Sequence, residues 1–333
     1  MIVTCAAILA VDFPAFPRRL AKAEAYGLGL MDVGVGSFVA AGGFARGLQS
    51  TRRRDGSHGA RASPAAALVR EGKRAGVLLA LGLSRTVLTW AIGYQQHVGE
   101  YGVHWNFFVT LAAVHLCSLP VRSMGTWMVG MVGAALLGVH DYCLRHRSWE
   151  LWALAEGRGE GIVEANKEGL ASLLGYCAIH VLSHWAARLV SGKRAGGGKA
   201  PATTDALPRL AALTAAAWAA CVLLRGDAGT ETISRRSCNA AYVLVVMLLN
   251  LQAWLGFAAA LALSWRHAQR IPTLLREWDA GSLSLFLVAN LATGAVNTSL
   301  DTLHASAARA RTVLLLYVLF LCAVAAALHA RSK

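Results

Sequence analysis

Ten apolar runs separated by polar connections organise this chain. They cover residues 1–11, 27–45, 75–94, 104–121, 124–143, 168–190, 208–224, 240–263, 281–303 and 312–329. Apart from the first, they are about as long as the ~20 residues a helix needs to cross ~30 Å of hydrocarbon at 1.5 Å per residue. Runs such as AAYVLVVMLLNLQAWLGFAAALAL (240–263) are apolar on every side, whereas barrel strands alternate over about ten residues. The pattern therefore predicts an all-α fold, a polytopic transmembrane helical bundle of about nine to ten spans. The first run, MIVTCAAILAV, lacks the basic start of a signal peptide and leads directly into polar sequence, so it reads as the tail of a span.

Composition supports the membrane reading. The 333 residues are 56% hydrophobic and only 15% charged, against roughly 25% charged in soluble domains. A net charge of +14 would suit nucleic acid, but the Lys and Arg residues lie between the apolar runs, where they serve as interfacial anchors and headgroup contacts. No nucleic-acid partner is expected; membrane lipids are. Seven scattered cysteines without a C-x-x-C pair indicate packing rather than a disulfide framework or a zinc site.

The chain reads as one membrane-embedded domain over residues 1–333, with flexible loops at 46–74 and 191–207. The first loop holds eight Lys or Arg residues, which places it in the cytoplasm by the positive-inside rule. Counting helices then puts the connections at 12–26, 95–103, 144–167 and 225–239 together on the opposite face, with 104–143 forming a helical hairpin that turns at LPVRS.

No G-x-S-x-G, P-loop, zincin or metal-ligand spacing occurs, and no His is followed five positions later by Asp. GVGSFVAAGG does not meet G-x-G-x-x-G, because Val39 takes the last glycine's place. What remains are charges that a bilayer penalises by about 2.5–3.5 kcal/mol at a helix centre, and which therefore face partners, cavities or sites. Asp12 ends an apolar run and is followed by Pro14 and Pro17, which interrupt a helix. With Arg18, Arg19, Lys22 and Glu24 it outlines either a polar cavity rim or an ordinary interfacial loop. Asp32, within a stretch rich in small residues, is either a structural lock or a site residue. Glu100, His104 and Asn106 interleave with aromatics, as a site or as an interfacial belt. Asn166 sits where an N-cap belongs. Asn250, Asn290 and Asn297 read as interhelical hydrogen-bonding amides, and His115, His140 and His180 as structural.

Three stretches, ILAVDFPAFPRRLAKAEAYGLGLMDVGVGSFV (8–39), EYGVHWNFF (100–108) and NKEGLASLLGY (166–176), resemble in order the inositol acyltransferases of glycosylphosphatidylinositol (GPI) anchor biosynthesis. SCNAAYVLVVMLLN (237–250) and SLFLVANLATGAVNTSLDT (284–302) resemble that family's C-terminal spans more loosely. The resemblance implies a multi-pass enzyme of the endoplasmic-reticulum membrane. Such an enzyme moves a fatty acyl group, typically palmitoyl, from acyl-CoA as co-substrate to the inositol 2-hydroxyl of glucosaminyl-phosphatidylinositol. The family carries further spans ahead of VDFPAFPRR, which are expected to be missing here, and the Arg-rich 46–74 stretch has no match in it.

Acyl transfer to an alcohol needs a base and a group that stabilises the oxyanion. The expected catalytic residues are Asp12 as base and Lys22 as its charge partner and oxyanion stabiliser, with His104 as the rival base. Arg18, Arg19, Asp32, Glu100, Asn106, Asn166 and Lys167 are the expected substrate-binding residues, and no metal is expected. Arg52, Arg53 and Arg54 are candidates to hold CoA phosphates or belong to a tail without that role. The competing functional classes are a lipid transporter or flippase and a non-catalytic subunit of a lipid-synthesis complex.

Overall fold

In the computed structural model, residues 2–54, 64–91, 93, 98–191, 202–225, 232–263 and 282–331 are described. Twelve α-helices occur among them: α1 Ile2–Ala10, α2 Leu30–Arg54, α3 Pro64–Ala91, α4 Phe107–Cys117, α5 Thr126–His146, α6 Trp149–Leu154, α7 Ile162–Ala165, α8 Lys167–Ser191, α9 Ala202–Arg225, α10 Ala240–Leu263, α11 Ser282–Ser299 and α12 Ala307–Arg331. The described residues contain no strand. Each of the ten apolar runs coincides with a helix. Five segments, within α5, α8, α9, α10 and α12, are long and apolar enough to cross a membrane by themselves. The protein is a polytopic helical membrane protein.

The described parts of both expected loops are helical. Within 46–74, α2 continues to Arg54 and α3 begins at Pro64, leaving 55–63 outside the described residues. Proline suits the first turn of a helix, where its missing N–H has no partner to lose. Within 191–207, α9 starts at Ala202, and 192–201 lies outside the described residues. Low complexity overstated both loops, because helices carry past the apolar run that defines them.

The chain divides into two compact units. The smaller contains residues 1–22, 29–34 and 263–333. Its core joins Cys5, Leu9 and Phe13 to Leu285, Ala289, Ala310, Tyr317, Leu321 and Ala325. Tyr317 satisfies its buried hydroxyl on the Ala289 carbonyl at 3.1 Å and the Thr293 hydroxyl at 3.2 Å.

The larger contains residues 23–28 and 35–262. Here α8 is the axis: α4, α5, α6 and α9 all pack on it, and α3 packs on α4. The 104–143 hairpin turns at Pro120–Arg122 as the sequence implies. Helix α2 also meets α8, and there the small residues decide the spacing. A Cβ on Gly43 or Gly47 would enter the backbone carbonyl of His180 or His184, so only glycine permits this approach.

Connections that alternation assigned to one side do meet. Val103 N donates to Ala165 O at 2.8 Å, and Gly169 N to Tyr101 O at 2.9 Å. Gly27 N donates to Ile233 O at 2.8 Å, and Ser237 Oγ to Glu150 Oε1 at 2.8 Å.

Gly43→Ala should destabilise the protein by about 1–3 kcal/mol, the usual cost of overpacking. Gly256→Ala, with nothing within 4 Å of its added carbon, should leave the thermal unfolding midpoint in detergent unchanged or slightly raised.

Candidate functional site

In the smaller unit, the two prolines convert the chain after α1 into consecutive turns. Asp12 N bonds to Leu9 O, Phe16 N to Phe13 O and Leu20 N to Pro17 O. Asp12 thus stands just beyond α1, half-buried, while Arg18, Arg19 and Lys22 reach solvent. Asn297 of α11 donates Nδ2 to Asp12 Oδ2 at 2.8 Å, and Arg18 Nη1 holds the Val11 carbonyl at 3.0 Å. Burial raises the Asp12 carboxyl above its ordinary range; the Asn297 hydrogen bond and the charges of Arg18 and Lys22 pull the other way without cancelling it. The acid is therefore tuned upward, toward the range in which a base operates. Arg18 and Lys22 both act electrostatically on this carboxylate, so the turns bring together residues ten positions apart.

Asp32 has a local task. Its Oδ2 accepts the Gly29 amide at 2.8 Å, a side chain in the first turn of α2 reaching back over the helix start. Gly29 itself admits no side chain, since a Cβ would enter the Ala21 carbonyl.

In the larger unit, NKEG at the start of α8 ties the polar connections together. Asn166 Oδ1 accepts the backbone amides of His104 and Trp105, each at 2.9 Å, and its Nδ2 donates to Ile162 O at 2.8 Å. Lys167 is buried, with Nζ on the carbonyls of Ala155 and Gly157 at 2.7 and 2.6 Å. Glu168 is buried and bound in fork geometry by Arg158, whose nitrogens lie 3.1 and 2.5 Å from the carboxylate. Arg158 also reaches Val98 O and Ala165 O, each at 3.1 Å. Gly169 leaves room for the Trp105 ring, which a Cβ would meet at 2.5 Å. Gly102, at φ +120°, passes the Asn166 backbone equally closely.

Asn106 caps α4 through the amides of Phe108 and Val109 and ties it to α3 by donating to Gly82 O at 2.8 Å. Glu100 meets Arg235 at 3.4 Å. The His104 side chain is exposed, and its backbone is the part that Asn166 holds. In Asn106, Asn166 and Lys167 the polar atoms are thus engaged with protein backbone, whereas His104 presents a ring to the outside.

Other residues follow their sequence reading. Asn250 bridges to Ser37 Oγ at 2.9 Å, and His140 Nε2 lies 3.0 and 3.1 Å from the Ser237 and Cys238 carbonyls. Asn290 departs from its reading as an interhelical amide, since its Nδ2 bonds the Phe286 carbonyl one turn back in the same helix. The side chains of Arg52, Arg53 and Arg54 lie outside the described residues. Sequence reasoning missed Asn297 as the Asp12 partner and Arg158 as the Glu168 partner. Both are distant or loop residues whose type alone carries no signal of pairing.

The family model named GWT1 matches residues 1–328. The chain belongs to the GWT1 family. Among its relatives, an uncharacterised protein of Arabidopsis thaliana is 38% identical over 99% of this chain and 71% of its own. GPI-anchored wall transfer protein 1 of Eremothecium gossypii is 35% identical over 92% of this chain and 68% of its own. The Schizosaccharomyces pombe protein of the same name is 34% identical over 98% and 69%. The family resemblance read from the three sequence stretches therefore holds along nearly all of this chain, which spans about 70% of the length of these relatives.

Asn166→Ala removes the acceptor for two backbone amides, each worth about 1–3 kcal/mol when buried and unanswered. Thermal unfolding should show a clearly lowered midpoint, and Asn166→Asp, which keeps the accepting oxygen, should recover part of the loss.

Proposed function

We propose that this protein acts in GPI-anchor biosynthesis as an acyl-CoA-dependent inositol acyltransferase of the endoplasmic-reticulum membrane. It transfers a fatty acyl group, palmitoyl in the first instance, to the inositol 2-hydroxyl of glucosaminyl-phosphatidylinositol. The observation that carries this reading is Asp12, a half-buried carboxylate fixed by Asn297 beside Lys22 and Arg18, in a GWT1-family chain whose named relatives are GPI-anchored wall transfer proteins.

Asp12 accepts the proton of the inositol hydroxyl as its oxygen attacks the thioester carbonyl. Lys22 stabilises the oxyanion that develops; the C–S bond then breaks, and the proton passes to the departing CoA sulfur. Direct attack requires no acyl-enzyme. Arg18 and Arg19, exposed on the same turns, meet the substrate phosphate. His104 is the rival base. Asp32, Glu100, Asn106, Asn166 and Lys167 contribute by shaping the polar connections, each through a bond to a protein group.

Purified protein with glucosaminyl-phosphatidylinositol and palmitoyl-CoA should yield a lipid heavier by one palmitoyl group in mass spectrometry. Asp12→Asn and Lys22→Ala should each lower turnover by at least about 100-fold, the scale of general acid–base catalysis, and His104→Ala much less. Near-normal turnover in Asp12→Asn with loss in His104→Ala would transfer the base to His104. No product from the folded wild-type protein would favour a transporter or a non-catalytic subunit.

The pH dependence has a definite sign. Asp12 works deprotonated, and its raised pKa means protonation begins at higher pH than for an ordinary aspartate near 3.9. The acid limb of kcat/KM should therefore lie above that range, with activity lost as pH falls through it. Asn297→Ala removes a bond that favours the carboxylate, so its limb should move to still higher pH.

A further inference from the structure

At the end of the larger unit where the 46–74 stretch meets the Pro120–Arg122 turn, four arginines surround one carboxylate. Glu71 is fully buried. Its oxygens lie 2.6 Å from Arg46 Nη2, 2.8 Å from Arg122 Nη1, 3.1 Å from Arg74 Nη1 and 3.8 Å from Arg70 Nε. One negative charge against four positive ones leaves three uncompensated in a small volume. A structural ion pair needs only one arginine, so the excess requires a reason.

Two further observations point to an anion. Arg46 Nη1 is buried and has no hydrogen-bond partner, whereas its Nη2 also contacts His115. A buried donor left unanswered is rare in folded proteins. Exposure also rises outward through the cluster, from 13% for the Arg46 side chain to 27% for Arg122 and 55% for Arg74. An anion arriving from solvent would meet Arg74 first and the idle nitrogen of Arg46 last.

We propose that Arg46, Arg74 and Arg122, gathered by Glu71, form a binding site for a phosphate group. Guanidinium forks match phosphate oxygens in pairs, and the surplus positive charge around Glu71 attracts a phosphate whether it carries one negative charge or two. Two ligands carry this chemistry: the phosphates of CoA and the headgroup phosphate of an anionic lipid. Assignment to CoA rests on the acyl-CoA reading above, whereas the site itself does not. Arg52–Arg54, the stretch singled out in the sequence for phosphate binding, is not needed for it.

The test uses the full chain in phosphatidylcholine nanodiscs. Calorimetry with CoA lacking an acyl chain measures the soluble source; nanodiscs carrying phosphatidylinositol, read by the unfolding midpoint, measure the lipid source. Arg122→Gln and Arg74→Gln should each weaken one of these responses about tenfold. Loss of CoA affinity supports the CoA source, and loss of the phosphatidylinositol response supports the lipid source. If both responses match the wild type in a variant that melts normally, the proposal is overturned. Arg74→Gln, more than half exposed and bound to Glu71 through one hydrogen bond, decides the matter if Arg122→Gln does not fold. Binding is read without acyl transfer, so an intact CoA response in an inactive protein would count against the Asp12 mechanism alone.

Discussion

The buried ion pair between Glu168 and Arg158 is the constraint on which the larger unit is built. Helix α8 is the most deeply buried of the five apolar spans, and Lys167 and Glu168 in its first turn are themselves buried, where a bare charge is expensive. Arg158 answers the carboxylate in fork geometry and uses its remaining donors on Val98 and Ala165 carbonyls. One guanidinium thereby fixes the start of the central helix and two polar connections. Lys167 and Asn166 complete the arrangement from neighbouring positions, so that three consecutive residues hold the connections that converge there.

The same helix imposes a second, apolar constraint farther along. Gly43 and Gly47 let α2 approach the α8 backbone at contact distance, a closeness that compensates for the weak driving force between helices in lipid. Contact at that separation brings Ser50 to Arg188 at 2.9 Å and places Arg46 of the same helix against Glu71. Backbone proximity in the apolar middle thus determines the electrostatics at the charged end.

In the smaller unit the governing feature is the proline pair. It stops the chain from continuing α1 as a helix and folds it into turns that set Asp12 against Asn297. A carboxylate at the end of a helical run would ordinarily be solvated; half-buried, it has an elevated affinity for its proton. Asn297 limits that elevation by hydrogen-bonding the charged form.

The sequence by itself determined the helices. All ten apolar runs became helices, and 240–263 kept both its boundaries, because membrane insertion is a property of local hydropathy that needs no partner. The turn at LPVRS, the broken segment after Asp12 and the family membership were legible for the same reason: proline and contiguous residue order act locally. At the ends of 46–74 and 191–207, helix extends beyond the apolar runs into stretches that read as loop. Only the tertiary structure decided which polar residues are occupied. Asn166 and Lys167 are substrate-binding candidates by sequence, and packing engages their polar atoms with backbone up to 62 positions away. Asp12 depends on an amide 285 positions away, and Glu71 on arginines from three separate segments. Residue type states what a side chain can donate or accept; its partner is fixed by packing, and packing joins positions that no local pattern connects.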